Sequence, residues 1–239
     1  MFRTIGLNNR NSKFKKRKTM KLKNELNAFR AEFSNKVDEE TVSIIDRASA
    51  ELEVDFQSRN PSGVGDKAPD FTLPSANGAS VSLSEKLQEG PVIITFYRGD
   101  WCPYCNLELR AYQRILPEIK EAGGSLIAIS PQTPDSSLTT AEKNNLEFDV
   151  LSDVGSKVAQ GFGISFKLPE YLQELYNKLG GSLPEYNGTN DWTLPVPATF
   201  VVDRESRIVL AHVDTEYQNR LEPNEALVAI NAINSVKSV

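Results

Sequence analysis

A run that is apolar but for one threonine, Pro91-Val92-Ile93-Ile94-Thr95-Phe96-Tyr97, ends at Arg98-Gly99-Asp100 and delivers the chain into Trp101-Cys102-Pro103-Tyr104-Cys105. A run of this kind, without polar alternation, reads as a strand covered on both faces. Helical spacing follows, with Leu107, Leu109, Tyr112, Ile115, Leu116 and Ile119 ahead of a stop at Gly123-Gly124. A second apolar strand over residues 125–129 comes next. Strand, helix, strand predicts two parallel strands joined by a crossover helix, and so an α/β fold with helices on the faces of its sheet.

The rest of the chain arranges itself around that unit. Residues 20–60 read as an N-terminal helical arm: Leu22, Leu26, Phe29, Phe33 and Val37 recur at helical spacing, then Val42, Ile45, Ala48 and Leu52 after a break near Asp38. Asn60-Pro61-Ser62-Gly63 reads as a linker. Beyond it come an extended segment, a turn at Asn77-Gly78 and a short strand through Val81 and Leu83. A polar helix is expected over 135–145, a strand over 148–151, and a helical turn at Val158 and Ala159. Between Phe166 and Pro195, Leu168, Leu172, Leu175, Tyr176 and Leu179 share one face of an inserted helix. Residues 198–203 and 207–213 form an antiparallel hairpin at the sheet edge, and 222–233 a final amphipathic helix. The expected organisation is a basic leader over 1–19, the arm over 20–60 and one α/β domain over 61–239.

Charge narrows the function classes. Residues 1–19 hold seven Lys/Arg and no acid, leaving 20 basic against 32 acidic residues from Met20 onward. A body so acidic repels phosphate backbones, which argues against nucleic acid as the main ligand. No stretch is apolar enough for a membrane span or a secretory signal, so the expectation is a soluble, cytoplasmic protein with no membrane partner. The leader has three readings: a stretch upstream of a true start at Met20, which its Lys- and Asn-rich composition favours, a poorly ordered tail, or an organellar targeting segment.

The chain contains only two cysteines, and they stand three residues apart. One short-loop bridge cannot staple a chain of 239 residues, so a disulfide scaffold is excluded. At a strand-to-helix junction the first sulfur meets unpaired backbone N–H groups and the positive end of the helix dipole, which favour a thiolate. The second lies one turn further in, near enough to close a disulfide. Pro103 in the first helical turn forfeits no hydrogen bond and stiffens the loop. Two bland readings stand beside this one: core cysteines acting as small hydrophobes, or half of a zinc site, for which the chain offers only His212 as a further His or Cys ligand. His212, within an edge-strand pattern, reads as structural.

These residues resemble the thioredoxin superfamily, and more specifically its peroxiredoxin-like branch, related to alkyl hydroperoxide reductase C and thiol-specific antioxidant proteins. The resemblance is carried by Gly-Asp-Lys-Ala-Pro-Asp-Phe-Thr-Leu at 65–73, by the 96–105 segment, by Val-Pro-Ala-Thr-Phe-Val-Val-Asp at 196–203 and by the order of strands, over about residues 61–239. It implies a thioredoxin-like fold, a mixed central sheet flanked by helices. The family's peroxidases carry a Pro-x-x-x-Thr-x-x-Cys motif and a distant Arg. Ungapped alignment places their peroxidatic cysteine on Cys105, their Thr on Cys102, their Pro on Arg98 and their distant Arg on Pro197, with Glu108 matching an acid three residues after the cysteine. What stands in place of the motif is similar to thioredoxin: a Cys-x-x-Cys pair preceded by Trp101, and at Pro197 a proline resembling the cis-proline beside the dithiol. Thr95 sits where thioredoxin carries a buried acid, and Asp100 or Glu108 could substitute.

The resemblance thus implies a redox enzyme without a bound cofactor or metal, reducing hydroperoxides through Cys102 and Cys105. A thioredoxin- or glutaredoxin-type reductant would regenerate it, and a homodimer is the assembly left open. On thioredoxin logic Cys102 attacks and Cys105 resolves; on peroxiredoxin logic the roles reverse. Cys102 is favoured as the more exposed thiolate. Arg98 is the nearest cation in sequence, able to hold a thiolate or a peroxide oxygen, or else a surface charge at a strand end. Two other functions stay open: a disulfide oxidoreductase without significant peroxidase activity, and a non-catalytic interaction protein that uses the helical arm.

Overall fold

The structure, a computed structural model, describes residues 21–236; the basic leader lies outside them. In chain order the elements are α1 (Leu22–Ser34), α2 (Glu39–Gln57), β1 (Thr72–Pro74), β2 (Ser80–Ser82), α3 (Leu83–Glu89), β3 (Val92–Phe96), α4 (Pro103–Glu121) and β4 (Ser125–Ser130). They continue with α5 (Pro134–Asn144), β5 (Asp149–Ser152), α6 (Lys157–Gly161), β6 (Ser165–Lys167), α7 (Glu170–Lys178), α8 (Leu183–Asn187), β7 (Thr193–Pro195), β8 (Ala198–Val202), β9 (Ile208–Val213) and α9 (Pro223–Val236).

The central sheet has the order β5-β4-β3-β8-β9. Strands β3, β4 and β5 run parallel, while β8 is antiparallel to β3 and β9 to β8. β3 lies at the middle and is wholly buried, as a run that is apolar but for Thr95 requires, and Thr95 Oγ1 accepts from Thr199 Oγ1 at 3.4 Å. Because side chains alternate across a strand, Val92, Ile94 and Phe96 join Phe162 and Phe200 in one core. Ile93 faces the other way, into a core with Tyr112, Leu116 and Ile119 of α4 and Ile230 of α9. The expected hairpin is β8–β9, with β9 at the sheet edge.

Both N-terminal helices pack on the chain's own body. In α1, Leu22 and Leu26 are buried beside Cys102, Tyr104, Cys105 and Leu109. The N-terminus of α1 receives the Glu222 carboxylate, which accepts from Leu22 N at 3.3 Å and from Lys23 N at 2.8 Å, an anion where the helix dipole favours one. Asp38 caps α2 by accepting from Thr41 N at 2.7 Å. Ile44, Ile45 and Ala48 of α2 meet the cluster formed by Leu168, Leu172, Leu175, Leu183 and Leu194. The apolar stripes of α1 and α2 therefore serve internal packing.

Two local expectations are corrected. The strand expected through Leu83 stops at Ser82, whose side chain accepts from Glu85 N at the start of α3: a Ser-x-x-Glu capping signature outweighs two alternating apolar residues. The inserted segment is also more than one helix. It holds α7, α8 and a β6–β7 ribbon pairing Phe166 with Leu194, and Leu179, expected on the buried face, follows the end of α7 and is exposed.

Candidate active site

The loop from β3 to α4 is built to hold the cysteines at a helix start. Gly99 adopts φ 152°, and a Cβ there would stand 2.4 Å from the Trp101 indole nitrogen, so only glycine lets the indole fold back over the loop. Gln132 accepts from Asp100 N at 3.0 Å and donates to the Asp100 carboxylate at 2.9 Å. Asn106 Nδ2 donates to the carbonyls of Asp100 and Cys102 at 2.7 and 3.1 Å. Asp100 is therefore an anchor of the loop. Cys102 occupies the N-cap of α4, with Pro103 in the first turn as expected.

The two sulfurs face each other. Cys105 Sγ donates to Cys102 Sγ at 2.8 Å, and both cysteines are in the free form. Arg98 Nη2 donates to Cys102 Sγ at 3.3 Å, and Arg220 Nη2 lies 3.7 Å from Cys105 Sγ. Arg220 Nε in turn donates to the Glu108 carboxylate at 2.7 Å, with both side chains 1% exposed.

This constellation divides the two thiols. Burial pushes the Cys102 thiol up, but the hydrogen bond from Cys105 and the charges of Arg98 and Arg220 outweigh it and hold Cys102 well below the ordinary thiol value. Burial pushes Cys105 well above that value, and its role as donor to the Cys102 thiolate adds to the effect. Glu108 is raised to about 7 by burial, against the pull of Arg220. With Cys102 and Glu108 ionised, the two anions balance the two guanidinium groups, so no buried charge is left uncompensated.

Several expectations change here. Cys102 is not the exposed sulfur: both cysteines are 0% exposed, because Leu22 and Leu26 of α1 and Tyr104 pack over the helix start. What separates them is charge and hydrogen bonding. Arg98 is no surface charge; it is buried, its guanidinium 4.2 Å above the Tyr217 ring and 5.3 Å from the Trp101 ring. Pro197 does not follow a cis bond, since the described residues contain none; the chain runs on directly from β7 into β8, with Val196 N bonded to Ile164 O at 2.8 Å. Glu108, and not Asp100, is linked to the sulfurs, through Arg220. Among the described residues no cluster of His, Cys, Asp and Glu could hold a metal ion, and His212 sits on β9 opposite Thr199.

Arg220, Tyr176 and Tyr217 are the residues sequence reasoning missed. Arg220 arrives 115 positions after Cys105, from the loop before α9, with no local pattern to mark it. Tyr176 lay on the apolar face noted for the inserted helix, and its hydroxyl accepts from Arg98 Nη1 at 3.5 Å. Above the pair lies a cavity of about 430 Å³ whose lining includes Arg98, Trp101, Tyr104, Tyr176, Pro197 and Tyr217. Arg98, whose Nη2 donates to Cys102 Sγ, belongs to this lining; neither cysteine does.

A β-α-β sheet of this order with a polarised sulfur pair at the strand-to-helix junction defines a thioredoxin-like thiol domain. The chain belongs to the AhpC/TSA family, which matches residues 64–211. It is 29% identical over 161 residues to chloroplastic peroxiredoxin Q of Populus jackii, covering 67% of this chain and 62% of that protein. It is 34% identical over 105 residues to peroxiredoxin Bcp of Escherichia coli, covering 44% of this chain and 67% of that one. The crystal structure of peroxidoxin BcpB from Mycobacterium tuberculosis superposes with a TM-score of 0.56 at 24% identity, covering 72% of this chain and 98% of that one, which shows the fold. No helix among the described residues is long and apolar enough to cross a membrane.

Proposed function

We propose that the protein is a thiol-dependent peroxidase of the peroxiredoxin class, with Cys102 as the attacking sulfur, Cys105 as the resolving one and a thioredoxin-type dithiol protein as the reductant in the cytoplasm. The observation that best supports this is the asymmetry of the pair: Cys102 accepts from Arg98 at 3.3 Å and from Cys105 at 2.8 Å. A thiolate so held is a nucleophile with its resolving partner already in place.

The chemistry balances without a cofactor. The Cys102 thiolate attacks the terminal oxygen of the hydroperoxide; an S–O bond forms, the O–O bond breaks, and the departing alkoxide takes one proton to leave as the alcohol. Cys102 is then a sulfenic acid. Cys105 gives up its proton and attacks the Cys102 sulfur, the S–S bond forms, and hydroxide leaves with that proton as water. The external dithiol returns two electrons by exchange. Arg98 and Arg220 hold the thiolate and offer donors to peroxide oxygens. Because both sulfurs are buried, the reductant reaches the disulfide only when the first turn of α4 or its cover from α1 moves aside.

The test is peroxide consumption by the fully reduced protein. Expected are one equivalent consumed per dithiol, loss of reaction in Cys102→Ser, and in Cys105→Ser a sulfenic acid that dimedone traps on Cys102. Consumption no faster than that of a free thiol would discard the peroxidase and leave a disulfide oxidoreductase.

A further inference from the structure

We infer that the cavity over the cysteine pair is a redox-gated site for a medium-chain carboxylate, bound once Cys102 and Cys105 have joined in a disulfide and released when they are reduced. The inference rests on the dithiol–disulfide cycling proposed above, whatever oxidant drives it.

The lining divides into an apolar wall and a single charge. Phe29 and Phe33 of α1, Ala48 and Leu52 of α2, and Leu172 and Leu175 of α7 belong to the wall of a space of about 430 Å³, within the range of roughly 300–1,000 Å³ usual for small-molecule sites. Among the described residues that line it, Arg98 is the one charged side chain. Arg98 is 8% exposed and Tyr104 3%, and Arg98 Nε and the Tyr104 hydroxyl have no hydrogen-bond partner. Buried donors without acceptors are costly, and a ligand that brings an acceptor recovers that cost. An apolar wall around one guanidinium fits an apolar body with an anionic oxygen head.

The sulfurs decide when that head is admitted. In the dithiol form Arg98 Nη2 donates to Cys102 Sγ at 3.3 Å, and Arg220 Nε pairs with the Glu108 carboxylate at 2.7 Å. Two guanidinium groups then face two anions, and a third anion would go unbalanced in a buried site. The sulfurs lie 2.8 Å apart, so an S–S bond of about 2.05 Å closes with little displacement. As it forms, the Cys102 thiolate and the Cys105 thiol give up two electrons and one proton to the oxidant, and Cys102 loses its charge. Arg98, Arg220 and Glu108 keep theirs, which leaves Arg98 without a counter-charge in the lining of the cavity. A carboxylate restores the balance, whereas a neutral alcohol of the same length fills the same wall without doing so. Because linkage is reciprocal, the ligand favours the disulfide by the factor by which the disulfide favours the ligand.

The test is calorimetric titration of decanoate and of decanol into the full-length protein in both redox states, at about pH 8, above the Glu108 value of about 7. Dithiothreitol holds the dithiol form. Diamide, an azo compound that takes up the two electrons, the Cys105 proton and a solvent proton, makes the disulfide, which mass spectrometry verifies. Expected are one decanoate site bound at least about tenfold more tightly in the disulfide form, within the range usual for coupled sites, and decanol binding that redox state leaves unchanged. Saturating decanoate should shift the exchange equilibrium with dithiothreitol toward the protein disulfide by the same factor. Arg98→Met should lower decanoate binding to the disulfide form to the level of decanol, and Ala48→Trp, which fills the cavity from α2, should abolish both; Ala48→Leu is the milder intrusion where the Trp variant loses its helical spectrum. The comparison of decanoate with decanol in the unaltered protein needs no variant. No decanoate binding, equal binding in the two redox states, the same redox dependence for decanol, or decanoate binding that Arg98→Met or both Ala48 variants leave intact overturns the inference while the cycling of the pair stands. If diamide produces no Cys102–Cys105 disulfide, the cycling falls and the inference with it.

Discussion

Replacing Arg98 by methionine removes the cation beside Cys102 while retaining much of the side chain's apolar bulk between Trp101 and Tyr217. At the observed 3.3 Å separation, opposite unit charges attract by about 5 kcal/mol at an effective dielectric near 20. Part of this disappears because methionine carries no desolvation cost and because Arg220 still acts on the sulfur. A hydrogen bond to a charged group contributes about 1.5–3 kcal/mol net, so a loss of about 2–3 kcal/mol in thiolate stabilisation is expected, roughly 30- to 150-fold in the ionisation constant of the Cys102 thiol. The assay is alkylation by a small haloacetamide across pH, with each sulfur assigned by mass spectrometry. Cys102 should be the labelled site in the native protein at neutral pH. In Arg98→Met the midpoint of its rate-versus-pH curve should move toward alkaline pH by that factor in proton concentration, with the full rate recovered in alkaline solution. An unmoved curve in a variant with a native circular dichroism spectrum, or labelling first at Cys105, would refute the assignment of the attacking sulfur.

Two further perturbations probe the surroundings. Glu108 is raised from 4.5 to about 7 in the folded protein, so its contribution to stability is fully present below the ordinary carboxyl value and is lost as pH rises through about 7; Glu108→Gln should flatten the decline of the melting temperature across that window, and an unchanged slope would remove Glu108 as its source. Leu26→Ala opens a void where α1 packs beside Cys102. It should cost about 2–4 kcal/mol in urea unfolding and accelerate alkylation of the cysteine pair, whereas equal destabilisation with no gain in labelling would mean that α1 does not gate the sulfurs.

The parts of the fold that local sequence dictates were legible. β3, the cysteine loop and α4 form one continuous stretch, and their periodicities change where the structure changes. The Ser82-x-x-Glu85 cap is equally local, but it competes with the alternation of Val81 and Leu83, which favours a strand. The three-residue strands β6 and β7 are too short for any period to register. The site was legible in its sulfurs and in Arg98 and Glu108, which lie within one helix and the turn before it. Arg220 and Tyr217 come from a distant loop, and only tertiary packing brings them to the cysteines. The burial of Cys102 was missed for the same reason: a helix start is open by itself and becomes closed when another helix, here α1, lies across it.

Glu222 links the first described helix to the loop before the last one. Its carboxylate holds the first turn of α1, and two residues earlier Arg220 reaches Cys105 and Glu108. α1 and the segment before α9 are thus fastened together beside the sulfurs, and neither is an independent appendage. A truncation that begins after α1, however natural it looks beside the matched family segment, would strip Glu222 of its partners and uncover the cysteines at one stroke.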